Sequence, residues 1–151
     1  MERCLLITGM GGAIGRHVAR MGLEQGYRVF GTVLNSVPKD LIRLSEKGEI
    51  SIIRADLSQE EQTMDAIFTA KPDVIVNLAG RTENSYGFDG TVRDENMTIV
   101  KNLLDCVSFL REDGMLEGFF TFIQPGTIWQ YGQVFGEESI VTSKQDVRFC
   151  S

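Results

Sequence analysis

The sequence predicts an α/β domain, a doubly wound parallel sheet with strand order 3-2-1-4-5. Three observations lead to that expectation. Short apolar runs alternate with helix-period stretches from the first residues to about residue 123. The runs are continuous instead of alternating with polar residues, as in strands covered on both faces. A glycine-rich turn leaves the first run and opens the first helix, after which right-handed crossovers build the sheet.

Cys4 to Ile7 is the first strand, breaking at Thr8-Gly9. Ala13 to Gln25 reads as a helix with Ile14, Val18 and Met21-Gly22 on one face and Gly26 as its stop. Arg28 to Val33 is the second strand, and Asn35 to Lys39 turns into a helix ending near Lys47. Glu49 to Arg54 is the third strand. Ser58, with Glu61 three residues on, then forms a capping box for a helix reaching Ala70. Pro72-Asp73 leads into the fourth strand, Val74 to Leu78. A longer helix spans about Thr91 to Leu110, with Asn96, Ile99, Val100, Leu103 and Val107 on one stripe. Phe119 to Ile123 is read as a fifth, buried strand. The pattern then weakens, so residues 1–151 form one domain with an irregular tail from about residue 124.

Composition narrows the function. A net charge of -6 argues against nucleic acid or an anionic membrane as the main partner. No stretch approaches the roughly 20 apolar residues of a membrane span, and the five mostly apolar residues after Arg3 are too few for a signal peptide. Cys4, Cys106 and Cys150 lie far apart with no metal-ligand spacing, which suggests reduced thiols in a cytoplasmic setting. His17, the single histidine, has no partner nearby in sequence and reads as an exposed helix residue; Cys106 reads as packing.

The turn Thr8 to Gly15 holds Gly9, Gly12 and Gly15 in a GxxGxxG spacing. Gly9 permits a tight turn off the strand, Gly12 lets backbone approach a pyrophosphate, and Gly15 allows helix to pack close on strand. The N–H groups at the helix start, around Ala13 and Ile14, face that anion with the positive end of the helix dipole. The pattern points to a dinucleotide. The acidic ribose partner expected about 20 residues on is missing: the strand ends Val33-Leu34-Asn35-Ser36. Asn35 or Ser36 can bond a ribose hydroxyl and Lys39 can meet a 2′-phosphate, so NAD and NADP both stay open.

With these motifs the chain resembles the extended short-chain dehydrogenase/reductase family, the Rossmann-like nucleotide-sugar epimerases and dehydratases. TGxxGxxG is present as Thr8 to Gly15. Asp56-Leu57 matches the acidic-Leu pair that flanks the adenine, and Asn77-Leu78-Ala79-Gly80 matches the family's fourth strand end. Thr127-Ile128-Trp129-Gln130-Tyr131-Gly132 resembles its Thr-x-x-x-Tyr-Gly, and Gly26 to Val33 is similar to the GDP-mannose 4,6-dehydratases. The resemblance implies cofactor contacts at Asp56, Leu57, Leu78, Ala79 and Gly80, a nucleotide-sugar substrate, and hydride exchange with a sugar carbon. Thr127 is then either a donor to a substrate oxygen or a strand-end hydroxyl bonded to backbone.

The departures lie in the catalytic groups. The family's Tyr-x-x-x-Lys, in which the Lys lowers the phenol's pKa, is not in this sequence; Ile140 stands where the Tyr would precede Lys144. Ile128 and Trp129 stand where dehydratases carry acids. The substrate-binding region that family members carry beyond this point is expected to be missing. A second expectation is therefore a non-catalytic dinucleotide-binding module, a sensor or scaffold. In the family the long helix pairs across a two-fold axis, and Met97 and Leu104, off the main stripe, are compatible with a homodimer.

Overall fold

The computed structural model describes residues 3–81, 90–118 and 120–126. Strand β1 (Cys4–Thr8) is buried at every position, because it lies at the middle of the sheet with helices over both faces. Beside it run β2 (Arg28–Val33), β3 (Ile50–Arg54), β4 (Val74–Asn77) and β5 (Thr121–Ile123), in the order β3-β2-β1-β4-β5. Every pairing is parallel, so the predicted order holds. The helices are α1 (Ala13–Glu24), α2 (Lys39–Glu46), α3 (Glu60–Ala70) and α4 (Gly90–Glu112).

The two-residue period of β1 divides the core. Leu5 and Ile7 join Ala19, Val29 and Leu41 in one cluster on the α1 and α2 face. Cys4 and Leu6 join Ala66, Ile67, Leu103, Cys106, Val107 and Leu110 in another, under α3 and α4. Each fully buried Leu or Ile side chain contributes about 1.5–3 kcal/mol of hydrophobic stabilisation. Cys106 is a packing residue, as predicted, and His17 is exposed.

Three local expectations need correction. On α1 the buried residues are Gly15, Ala19 and Gly22, whereas Ile14 and Met21 are 65% and 63% exposed. The helix lies too close to the sheet for large side chains: a Cβ at Gly22 would stand 2.8 Å from Leu5 Cδ2 and 3.0 Å from Val29 Cγ2. The Ser58 capping box does not form. Helix α3 starts at Glu60 with Gln59 at its cap and no side-chain cap. The Ser58 hydroxyl instead donates to Asp56 Oδ1 at 2.7 Å, and its N–H to the same oxygen at 3.0 Å, a local turn that outcompetes the cap. Finally, β5 is a half-buried edge among the described residues, with Ile123 exposed, because only β4 pairs with it.

Candidate functional site: a cleft at the carboxyl ends of the strands

The sheet changes winding direction between β1 and β4, and a crevice opens there beyond the carboxyl ends of the strands. On its β1 side the chain turns at Gly9, whose φ of +63° belongs to the left-handed region. A Cβ there would also lie 2.8 Å from Leu78 O, so β4's exit crosses directly behind the loop. Met10 anchors the loop from below: it is fully buried, and its N–H donates to Thr32 O at 3.0 Å. Its thioether occupies the space a side chain would fill at Gly31.

Gly12 caps α1 with extended backbone and no side-chain hydrogen bond, and the helix's first turn carries no acid. The leading N–H groups of a helix have no partner within it, so this end offers donors and positive potential to an anion. The three glycines owe their identity to different causes. Gly9 is held by its φ. Gly15 is held by contact, since a Cβ would sit 2.7 Å from Gly9 O and from Met10 Cα. Gly12 is held by neither: its φ is -72°, and a Cβ would meet only Gly9 O, at 3.4 Å. The fold does not demand glycine there, whereas a closely approaching ligand would.

The β4 side is fixed by a buried polar network. The Thr8 hydroxyl donates to Asn77 Oδ1 and accepts the N–H groups of Leu78 and Ala79, both at 3.0 Å. Asn77 Nδ2 in turn donates to Gln124 Oε1 at 2.7 Å. Just beyond, Asn96 of α4 grips Arg81 by its backbone: Arg81 N–H donates to Asn96 Oδ1 at 2.8 Å, and Asn96 Nδ2 donates to Arg81 O at 2.9 Å. Arg81 Nη1 donates to Glu95 Oε2 at 2.8 Å, and this carboxylate raises the guanidinium pKa further.

Between these walls lies a cleft of about 630 Å³. It brings together Gly9, Gly12, Asn35, Asp56, Leu57, Leu78, Ala79 and Gly80, which sequence reasoning had placed in one site. Ala13, Ile14 and Gly15 do not line it: the first two are exposed at the helix start, and Gly15 is buried beneath the loop. Thr127 lies outside the described residues, as does the tail beyond it. Sequence reasoning missed Thr32, Arg81, Glu95 and Ile99 in the lining. It also missed Arg54, whose Nη1 donates to Asn35 O at 2.6 Å; parallel register sets Arg54 beside Val33 at the strand ends. Glu95 and Ile99 share a helical face four residues apart, a visible spacing, but nothing in the sequence shows that α4 turns that face to the cleft. Among the described residues no group of three metal-ligating side chains occurs.

A family model described as the NAD dependent epimerase/dehydratase family matches residues 5–147. The chain belongs to this family. Within reach of it by sequence is the short chain dehydrogenase andC of Emericella variicolor, 32% identical over 119 residues, 74% of this chain and 46% of that protein. Two solved structures have the same fold. The Bordetella bronchiseptica enzyme WbmH in complex with NAD+ matches 98% of this chain and 46% of its own, at 19% identity and a TM-score of 0.72. The dTDP-glucose 4,6-dehydratase of Bacillus anthracis in complex with NAD matches 99% and 45%, at 18% identity and 0.75. This member of the epimerase/dehydratase family thus spans less than half the length of each of these relatives.

Proposed function

We propose that the chain is the NAD-binding domain of an epimerase or dehydratase that acts on a nucleotide sugar. The pyrophosphate lies against the Gly12 end of α1. The adenosine runs toward Asp56-Leu57, with Asn35 or Ser36 at its ribose, and the nicotinamide half passes Leu78, Ala79 and Gly80. Bound there, NAD supplies a reversible hydride acceptor for a sugar hydroxyl carbon. The observation that carries this reading is Gly12, a cleft-lining glycine at an uncapped helix start where neither φ nor packing excludes a side chain. Neighbouring Gly11 supports it, since a Cβ there would meet nothing nearer than Pro38 Cδ at 3.5 Å.

Calorimetric titration with NAD+ and with NADP+ tests the reading: saturable binding of either is expected, and binding of neither overturns it. A Gly12→Ser variant separates ligand from fold. Serine is a good N-cap, so thermal stability is expected to hold or rise slightly. Its side chain occupies the anion's approach, and affinity is expected to fall about tenfold or more, about 1.4 kcal/mol per decade. A variant that loses stability and affinity together would return Gly12 to a structural role.

The non-catalytic module remains the second reading on one observation, the lack of any Tyr-x-x-x-Lys within these 151 residues. Hydride exchange into bound NAD+ from a nucleotide sugar separates the two. Self-association through α4 belongs to the first reading, supported by Met97 and Leu104, which are 66% and 42% exposed. So does a cytoplasmic setting, in keeping with the free buried thiol of Cys106.

A further inference from the structure

We propose that Arg81 is the side-chain cation by which the cleft meets the negative charge of its dinucleotide, and that Glu95 holds the guanidinium until the phosphates compete for it. The inference rests on the NAD-binding reading above and adds to it a residue and an exchange of partners. Among the described residues lining the cleft, the ionised side chains are Asp56, Arg81 and Glu95. The lining itself therefore offers a pyrophosphate two carboxylates and one full positive charge, with the Arg54 guanidinium outside it and bonded to Asn35 O, in a chain whose net charge is -6. The start of α1 offers about half a unit of positive charge, so the wall needs the guanidinium.

Arg81 is built for that task. It follows Gly80 where β4's exit crosses behind Gly9, so its backbone is carried on the same segment as the glycine loop's close contact. Asn96 clamps its N–H and its carbonyl, which sets the origin of the side chain whatever the tip does. At the tip only Nη1 is engaged, 3.1 Å from Glu95 Oε1 and 2.8 Å from Oε2. The rest of the planar fork makes no bond to the described residues, and such a fork suits a phosphate in two-point contact. Arg81 is 67% and Glu95 43% exposed, and an exposed ion pair of this kind is weakly held. Replacing carboxylate by phosphate costs little, and it leaves Glu95 free to return to water.

Titration of the 151-residue chain with NAD+ and with ADP, at several salt concentrations, reads this out. Arg81→Ala is expected to weaken both ligands about tenfold, as loss of one charge-assisted contact does. It should also flatten the fall of affinity with salt, while Arg81→Lys keeps part of the affinity. Glu95→Gln is expected to strengthen NAD+ binding severalfold, a gain that disappears when Arg81→Ala is also present. Thermal melting of each variant should match the parent, because the pair is exposed. An Arg81→Ala protein that melts normally and keeps the parent's affinity and salt dependence overturns the inference and leaves the NAD reading standing. An equal gain from Glu95→Gln with and without Arg81 overturns the exchange of partners. A parent chain that binds no dinucleotide overturns both readings together.

Discussion

Thr8 and Cys106 show how far a single side chain's role depends on what is buried around it. Thr8 is the first letter of the glycine motif, yet its hydroxyl faces away from the loop to bond Asn77 and two backbone N–H groups of the β4 exit. Thr8→Val keeps the shape and removes the hydroxyl partner of Asn77 Oδ1 and of the Ala79 N–H, while the Leu78 N–H keeps the Thr8 carbonyl at 3.3 Å. Each unsatisfied buried group costs about 1–3 kcal/mol, so the denaturation midpoint is expected to fall by an amount worth about 2–3 kcal/mol with an unchanged m-value. Cys106 is buried against α3, and that burial, then Glu60 and Asp105, raises its thiol pKa above the ordinary 9.0. The folded state therefore prefers the neutral thiol. Its contribution is fully present below pH 9.0 and is lost as pH rises through that value toward the raised folded pKa. Denaturation midpoints from pH 7 to 10.5 should fall more steeply in the parent than in Cys106→Ala; parallel curves would rule the effect out.

At the scale of elements, helix α1 carries the clearest lesson. Its helical period is legible, and Val18 and Gly22 of the predicted face do pack, but Ile14 and Met21 stay in solvent. Sequence patterning ranks side chains by hydrophobicity, whereas the distance between helix and sheet is set by the glycine loop that joins them. With Gly15 pressed on Gly9 O, α1 starts so close to β1 that the residues buried beneath it are the small Gly15, Ala19 and Gly22, with Val18 and Leu23 packing at the sides. Gly22→Leu is accordingly expected to destabilise by about 1–3 kcal/mol or more through overpacking, and Met21→Ala by no more than about 0.5 kcal/mol as a surface change. Thermal melting of the two variants side by side gives the ranking. A larger loss at Met21 would restore the face predicted from sequence.

For the molecule as a whole, α4 has two apolar faces of unequal fate. One buries Leu103, Cys106, Val107 and Leu110 on the sheet. The other leaves Met97 and Leu104 in solvent, seven residues apart and two turns along the same side. If α4 pairs with a second copy, light scattering should give twice the mass of 16.8 kDa, and Met97→Lys with Leu104→Lys should return it to one. A parent chain that is monomeric at high concentration would end that proposal.

The sequence by itself determined the class of fold, the strand order and the stretches that build the cleft. Continuous apolar runs, helical periods and a glycine turn are local signals, and each acts through backbone geometry that neighbouring residues set. Eight of the residues assigned to the site from sequence converge on the cleft: seven follow closely on strand ends, Gly12 starts the helix after the first of them, and the parallel order carries all strand ends to one side. Only the tertiary structure decided which residues complete it. Arg54 reaches Asn35 through cross-strand register, Gln124 meets Asn77 across 47 positions of sequence, and Arg81 meets Glu95 because α4 lies over the β4 exit. Contacts of that kind depend on how closely packed layers approach one another, a distance that no local pattern of residue types encodes.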